Sequence, residues 1–185
     1  MKQQIKTLIF FVVTTPLIFL QGCASMHMDI DGNIIKENYN AADSLIKQSG
    51  DTLLKDQPVI VASFVNIDNL NSSSTFGRIT AEQIASRLSQ HSLKVIEMKL
   101  RDNVFIKQQS GEFILSRELK NISQEYEAQA VLCGTYAIGE YDVFISSKLI
   151  RAVDGVILSS YDYTLPKGPN MSTLIGQPQR GHVFN

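Results

Sequence analysis

The residues of this chain that could do chemistry are few and scattered. Cys133 lies in the apolar run Ala130-Val131-Leu132-Cys133-Gly134, which reads as a buried strand, and a thiol there behaves as a small hydrophobe. His27, His91 and His182 share no element and no metal-ligand spacing. A G-x-S-x-G nucleophile turn is missing, and Glu82, Glu112, Glu118, Glu125 and Glu127 read as solvated helix charges. Asp29-Ile30-Asp31-Gly32-Asn33 has the acidic residues of a calcium loop but neither Gly at its sixth position nor Glu at its twelfth, so it reads as a turn. The expectation is therefore a protein that is not an enzyme and holds no cofactor or metal. Two weaker constellations remain. Ser74, Thr75 and Arg78 open a helix, where hydroxyls and a cation could hold an anion or meet a partner; helix capping accounts for the same residues. Tyr161 and Tyr163 alternate onto one face of the last strand as a candidate aromatic contact surface, with core packing as the plainer reading.

Cys23 is different, because the chemistry lies in what precedes it. Lys2 and Lys6 are followed by an apolar stretch over residues 7–20 that includes Pro16. Fourteen helical residues span only about 21 Å, short of a hydrocarbon core of roughly 30 Å, so the stretch reads as a signal peptide rather than an anchor. It ends in Leu20-Gln21-Gly22-Cys23, which resembles the bacterial lipobox. That resemblance implies diacylglyceryl transfer to the Cys23 thiol, cleavage before it and acylation of the new amino group. Ala24, in place of Asp, implies the outer membrane. With Cys23 lipidated, Cys133 has no partner for a disulfide.

The elements that would position any site follow from periodicity. Residues 25–38 are polar and read as a tether reaching roughly 45 Å when extended. Asn40 is a good N-cap for a helix carrying Ala42, Leu45 and Ile46 on one side, interrupted near Gly50. The apolar run over 58–66 suits a central strand covered on both faces. A helix with Gly77, Ala81 and Ala85 in one row and a strand over 93–98 complete a β-α-β crossover, right-handed by rule. Residues 101–112 suggest a short strand or hairpin, 116–127 a helix with Leu119, Ile122 and Tyr126 on one side, and 130–137 a third strand. Runs over 141–151 and 156–165 are joined by Val153-Asp154-Gly155, a hairpin signal because the turn needs positive φ. The Pro- and Gly-rich stretch from 167 reads as a flexible tail. The fold class is thus a single α/β sandwich whose mixed sheet starts with parallel β-α-β units and ends in an antiparallel meander. The expected division is a signal peptide over 1–22, lipidated Cys and tether over 23–38, the domain over 39–166 and the tail over 167–185.

Composition sets the outer bounds. The 185 residues are 44% hydrophobic and 19% charged with a net charge of −1, values of one globular domain rather than a disordered or polytopic chain. Without Lys2 and Lys6 the net charge is −3, which excludes the basic footprint of a nucleic-acid binder.

Six ordered blocks then carry a family resemblance over residues 38–169. They are Val61-Ala62-Ser63-Phe64-Val65-Asn66-Ile67-Asp68-Asn69-Leu70; Ser74-Thr75-Phe76-Gly77-Arg78 with Glu82-Gln83-Ile84-Ala85-Ser86-Arg87; Val95-Ile96-Glu97-Met98-Lys99-Leu100-Arg101; Gly111-Glu112-Phe113-Ile114-Leu115-Ser116-Arg117-Glu118; Ala130-Val131-Leu132-Cys133-Gly134-Thr135-Tyr136-Ala137; and Tyr161-Asp162-Tyr163-Thr164-Leu165-Pro166. Together they resemble the FlgO family of flagellar outer-membrane proteins, whose core is similar to the α/β domain of curli-secretion lipoproteins and the N-terminal part of TolB-like proteins. The resemblance implies a lipoprotein on the periplasmic face of the outer membrane, held by acyl chains on Cys23. It also implies a structural role that stabilises the flagellum or its outer-membrane ring, with ring or other envelope proteins as partners and self-association allowed. It offers no catalytic residue to carry over. The alternative from a different class is a periplasmic ligand-binding module or an enzyme acting on cell-envelope material.

Overall fold

The computed structural model describes residues 31–70, 73–97, 106–109, 112–115 and 117–176. The expected signal peptide, Cys23, the first part of the tether (residues 24–30) and the last nine residues lie outside these. Helix α1 covers Ile34–Ser49 and begins seven residues earlier than the sequence suggests, because the Asn33 side chain accepts the backbone N–H of Lys36 at 3.0 Å and caps it. Gly50 ends it at positive φ, where a short 3-10 turn, Gly50–Thr52, follows. Strands β1 (Val59–Val61) and β2 (Val65–Asn66) precede α2 (Thr75–Gln90) and β3 (Val95–Glu97). The stretch after β3, read as a short strand or hairpin over 101–112, contains a two-stranded antiparallel hairpin, β4 (Ile106–Gln109) with β5 (Glu112–Leu115). Helix α3 (Arg117–Glu125), strands β6 (Ala130–Ile138), β7 (Asp142–Arg151) and β8 (Ile157–Pro166), and helix α4 (Pro169–Leu174) complete the order.

The main sheet has the order β3-β1-β6-β7-β8, with β2 also on β6. β3, β1, β2 and β6 are parallel and β7 and β8 antiparallel, so the mixed sandwich is the fold. β1 and β2 follow β6 as one interrupted strand. Val59 pairs with Ala130 and Val65 with Thr135, and the chain lifts off between them at Phe64, whose N–H donates to the Gly77 carbonyl of α2 at 3.2 Å. The Phe64 ring, fully buried, lies directly over Gly134 of β6, where a Cβ would overlap it. A Cβ at Gly77 would strike the Phe64 carbonyl. The break in the strand is thus fixed by two glycines, each making room for a different part of one phenylalanine.

Helices α1 and α2 cover one face of the sheet. Beneath them Ala41, Ala42, Leu45, Phe76, Ala81, Ile84, Ala85 and Leu88 pack on Val59, Val61, Leu132, Val143, Ile145, Leu149 and Leu165, so the small-residue row of α2 does face the core. On the other face a smaller core forms from Ile60, Ala62, Val65, Val131, Cys133 and Ile150 with Ile122 of α3. Tyr126, expected beside Ile122, lies past the end of α3 and is 45% exposed.

Both boundaries of the domain move outward from those the sequence suggests. Asp31 takes the backbone N–H groups of Asn170 and Met171, each at 3.1 Å, and a Cβ on Gly168 or Gly32 would collide with Asp31 or Pro166 respectively. Met171 and Ile175 are buried in the main core. Residues 31–33 therefore belong to the fold rather than to a tether, and 169–174 is a docked helix rather than tail.

Candidate functional site

At the α2 N-terminus the structure brings Ser74, Thr75 and Arg78 together, and spends them on the fold. Ser74 Oγ accepts the Gly77 N–H at 3.2 Å and the Tyr136 hydroxyl at 2.9 Å. Ser73 Oγ donates to the Phe64 carbonyl at 2.8 Å. The Arg78 guanidinium folds back onto Thr75 Oγ1 at 3.1 Å and the Ser73 carbonyl at 3.3 Å. Every hydroxyl of the cluster thus has a local partner, the arrangement that helix capping produces.

Tyr161 and Tyr163 do share a face, 5.8 Å apart, but it is the face under α1, where both pack against the main core. The Tyr163 hydroxyl donates to Asn38 Oδ1, and Asn38 Nδ2 donates to Gln83 Oε1 at 2.7 Å. Burial raises the Tyr163 phenol well above its ordinary pKa, with the nearby Glu37 charge adding to it. The pair therefore holds α1 to β8 from inside. Cys133 is buried and its thiol is pushed up to about 12 by desolvation, far from the thiolate a nucleophile needs. His91, the C-cap of α2, joins Arg87 on a single carboxylate of α1. Asp43 Oδ1 lies 2.8 Å from both Arg87 Nε and His91 Nε2, and Asp43 Oδ2 lies 2.9 Å from Arg87 Nη2. This is a clamp between helices.

What the sequence did not reveal is a groove on the opposite face. The described helix on that side, α3, reaches the parallel half through Ile122, and the antiparallel half has no described helix over it. Strand register fixes its floor. Thr135, Ser146 and Asp162 stand in one row across β6, β7 and β8, and Ala137, Phe144 and Thr164 in the next. With Ile67 at one side they line an open groove of about 400 Å³. Phe144 is 53% and Ile67 47% exposed, so two apolar surfaces flank a floor of hydroxyls with one carboxylate. Such a surface can stack an aromatic ring on an apolar ligand face while hydroxyls and Asp162 take its polar groups. The alternation of Phe144 with buried Val143 and Ile145 was the sequence signal for this face. The partners across strands needed the register.

No curated protein matches the chain. A family model described as FlgO protein matches residues 39–170. Among solved structures, the fold is similar to the LpoB C-terminal domain from Salmonella enterica. That match has 12% identity and a TM-score of 0.49, covering 69% of this chain and 97% of that one. It is also similar to the PelC dodecamer from Paraburkholderia phytofirmans at 15% identity and TM-score 0.42, over 68% of this chain and 87% of that one. A third is lipoprotein GNA1162 from Neisseria meningitidis at 20% identity and TM-score 0.39, over 62% and 82%. None of these three is named for a flagellar part. The expectation of a structural role in the flagellum or its ring is corrected accordingly, and the open groove agrees with the alternative, a binding module of the envelope.

Proposed function

The chain belongs to the FlgO family, in keeping with an address on the periplasmic face of the outer membrane, and from that premise we propose that it is a lipid-anchored, non-catalytic module that binds a cell-envelope component. The anchor is Cys23, acylated as its lipobox implies; two or three acyl chains hold a protein at a membrane effectively irreversibly, at about 0.8 kcal/mol per buried methylene. The observation that carries the reading is the groove over β6, β7 and β8, with Phe144 and Ile67 flanking Thr135, Ser146, Asp162 and Thr164. Aromatic and aliphatic side chains around hydroxyls and one carboxylate suit a neutral or amino-bearing polar ligand, the chemistry of cell-wall glycan and peptide. Among the described lining residues Asp162 is the single acid and no histidine or lysine stands beside the Ser146, Thr135 and Thr164 hydroxyls to activate them, which favours recognition as the groove's chemistry.

The test uses mature acylated protein in detergent, titrated with muropeptides released from purified cell wall. Saturable NMR shifts at Thr135, Ser146, Asp162 and Thr164, weakened by at least tenfold in Phe144→Glu, support the reading. Unmoved resonances at those four positions overturn it. Muropeptides recovered chemically altered after incubation would overturn the non-catalytic part alone.

A further inference from the structure

Asp162 is the one charged side chain among the described residues that line the groove, and it holds no described part of the fold together. Its carboxylate has no hydrogen bond and no ion pair to any described residue, whereas Asp43 and Asp154 are clamped by Arg87 and Arg151. Strand register sets what surrounds it. Asp162 stands opposite Ser146 and Phe144 opposite Thr164, so Asp162 and the exposed Phe144 are diagonal neighbours across β7 and β8, roughly 7–8 Å apart. The nearest cations in the register are set back or committed. Lys148 lies one row beyond, between Cys133 and Ser160, and Lys167 Nζ donates to the Gly139 carbonyl at 2.7 Å. Two further carboxylates flank the groove: Asp68 follows Ile67, and Asp142 stands in the row past Phe144.

This arrangement favours one sign of charge. A cation gains from the carboxylate and also from the electron-rich face of the Phe144 ring, which attracts it within about 6 Å of the ring centre. An anion is repelled by the carboxylate and by that face. A neutral ligand can satisfy the hydroxyls of Thr135, Ser146 and Thr164, but in covering Asp162 it strips water from a charge and returns no counter-charge. Ile67 and Phe144 supply the apolar contact along which the methylenes of an amine stem can lie.

We infer that Asp162 selects the ligand by charge: the groove takes a primary ammonium on an aliphatic stem, the group that a diamino acid of cell-wall peptide presents, with the ammonium at Asp162 and the stem along Phe144. The inference rests on the groove being a binding site, as proposed above, and narrows its ligand from neutral or amino-bearing to cationic.

The test titrates mature acylated protein in detergent with three preparations of the same muropeptides: untreated, with their free amines acetylated, which removes the charge, and with those amines methylated, which keeps it. Binding is read from NMR shifts at Thr135, Ser146 and Thr164. Acetylation is expected to weaken binding at least tenfold and methylation less than threefold. Asp162→Asn is expected to weaken binding of the untreated form about tenfold and to leave the acetylated form where it was, with an unchanged melting temperature; Asp162→Glu, which keeps the charge, retains the preference. Equal affinity for the untreated and acetylated forms, or a preference that survives Asp162→Asn, overturns the inference and leaves the groove standing as a binding site. Absence of shifts with all three preparations overturns the groove reading, and the charge selection with it.

Discussion

Single residues here decide where the chain can and cannot be altered. Thr80 is fully buried on α2, and its hydroxyl has no hydrogen-bond partner among the described residues. A buried polar group left unpaired costs about 1–3 kcal/mol, so the nearly isosteric Thr80→Val is expected to raise the melting temperature, a rare direction for a core substitution. A fall would show that the hydroxyl is satisfied in solution. Gly134→Ala is expected to do the reverse, because its methyl group would occupy the space of the Phe64 ring. Overpacking of this kind costs about 1–3 kcal/mol or more. Phe64→Leu in the same chain should return part of that loss, and a denaturation double-mutant cycle with no coupling would refute the wedge.

At the scale of elements, the α1–α2 clamp makes one pH-dependent contribution. The Arg87 guanidinium, aided by His91, holds the Asp43 carboxyl below its ordinary range against a smaller opposing effect of burial. A depressed folded-state pKa stabilises the fold above about pH 3.9, the unfolded value, and the gain is lost as pH falls through the folded pKa. Asp43 is 40% exposed, so the effect is screened and modest. Asp43→Asn should lower the melting temperature slightly at pH 7, by an amount that shrinks as pH falls below about 3.9 and through the folded pKa; a loss that does not change with pH would assign the effect to packing instead. The elements that were legible in sequence are those whose signals are local. The apolar run at Val59 to Val61, the small row of Gly77, Ala81 and Ala85, and Asp154-Gly155 each stand where their patterns put them. The early start of α1 escaped notice because Asn33 is followed by two isoleucines in an otherwise polar stretch, and α4 because its cap is Asp31, at the other end of the sequence. The groove needed three strands in register. The tyrosine pair was correctly placed on one face, but which face α1 would cover depends on its packing against β8.

For the whole molecule, the anchor and the fold make separable predictions. Cys23→Ser is expected to move the protein from the outer-membrane fraction to the periplasm with an unchanged melting temperature, because the substitution removes the thiol that carries the lipid. Persistence in the membrane after a high-salt wash would count against lipid anchoring. The Asp31 contact has a mechanical side as well. Tension arriving from the lipid reaches the two hydrogen bonds at Asn170 and Met171 first and then enters α1 at its N-terminus. Because α1 lies lengthwise along β8, held near one end by Asn38 with Tyr163 and at the other by Ser49 with Ser159, such a pull loads that seam in shear, so its contacts must yield together rather than unzip one by one. In a single-molecule pulling record, Asp31→Ala should therefore lower the force of an early small extension while leaving the main rupture in place.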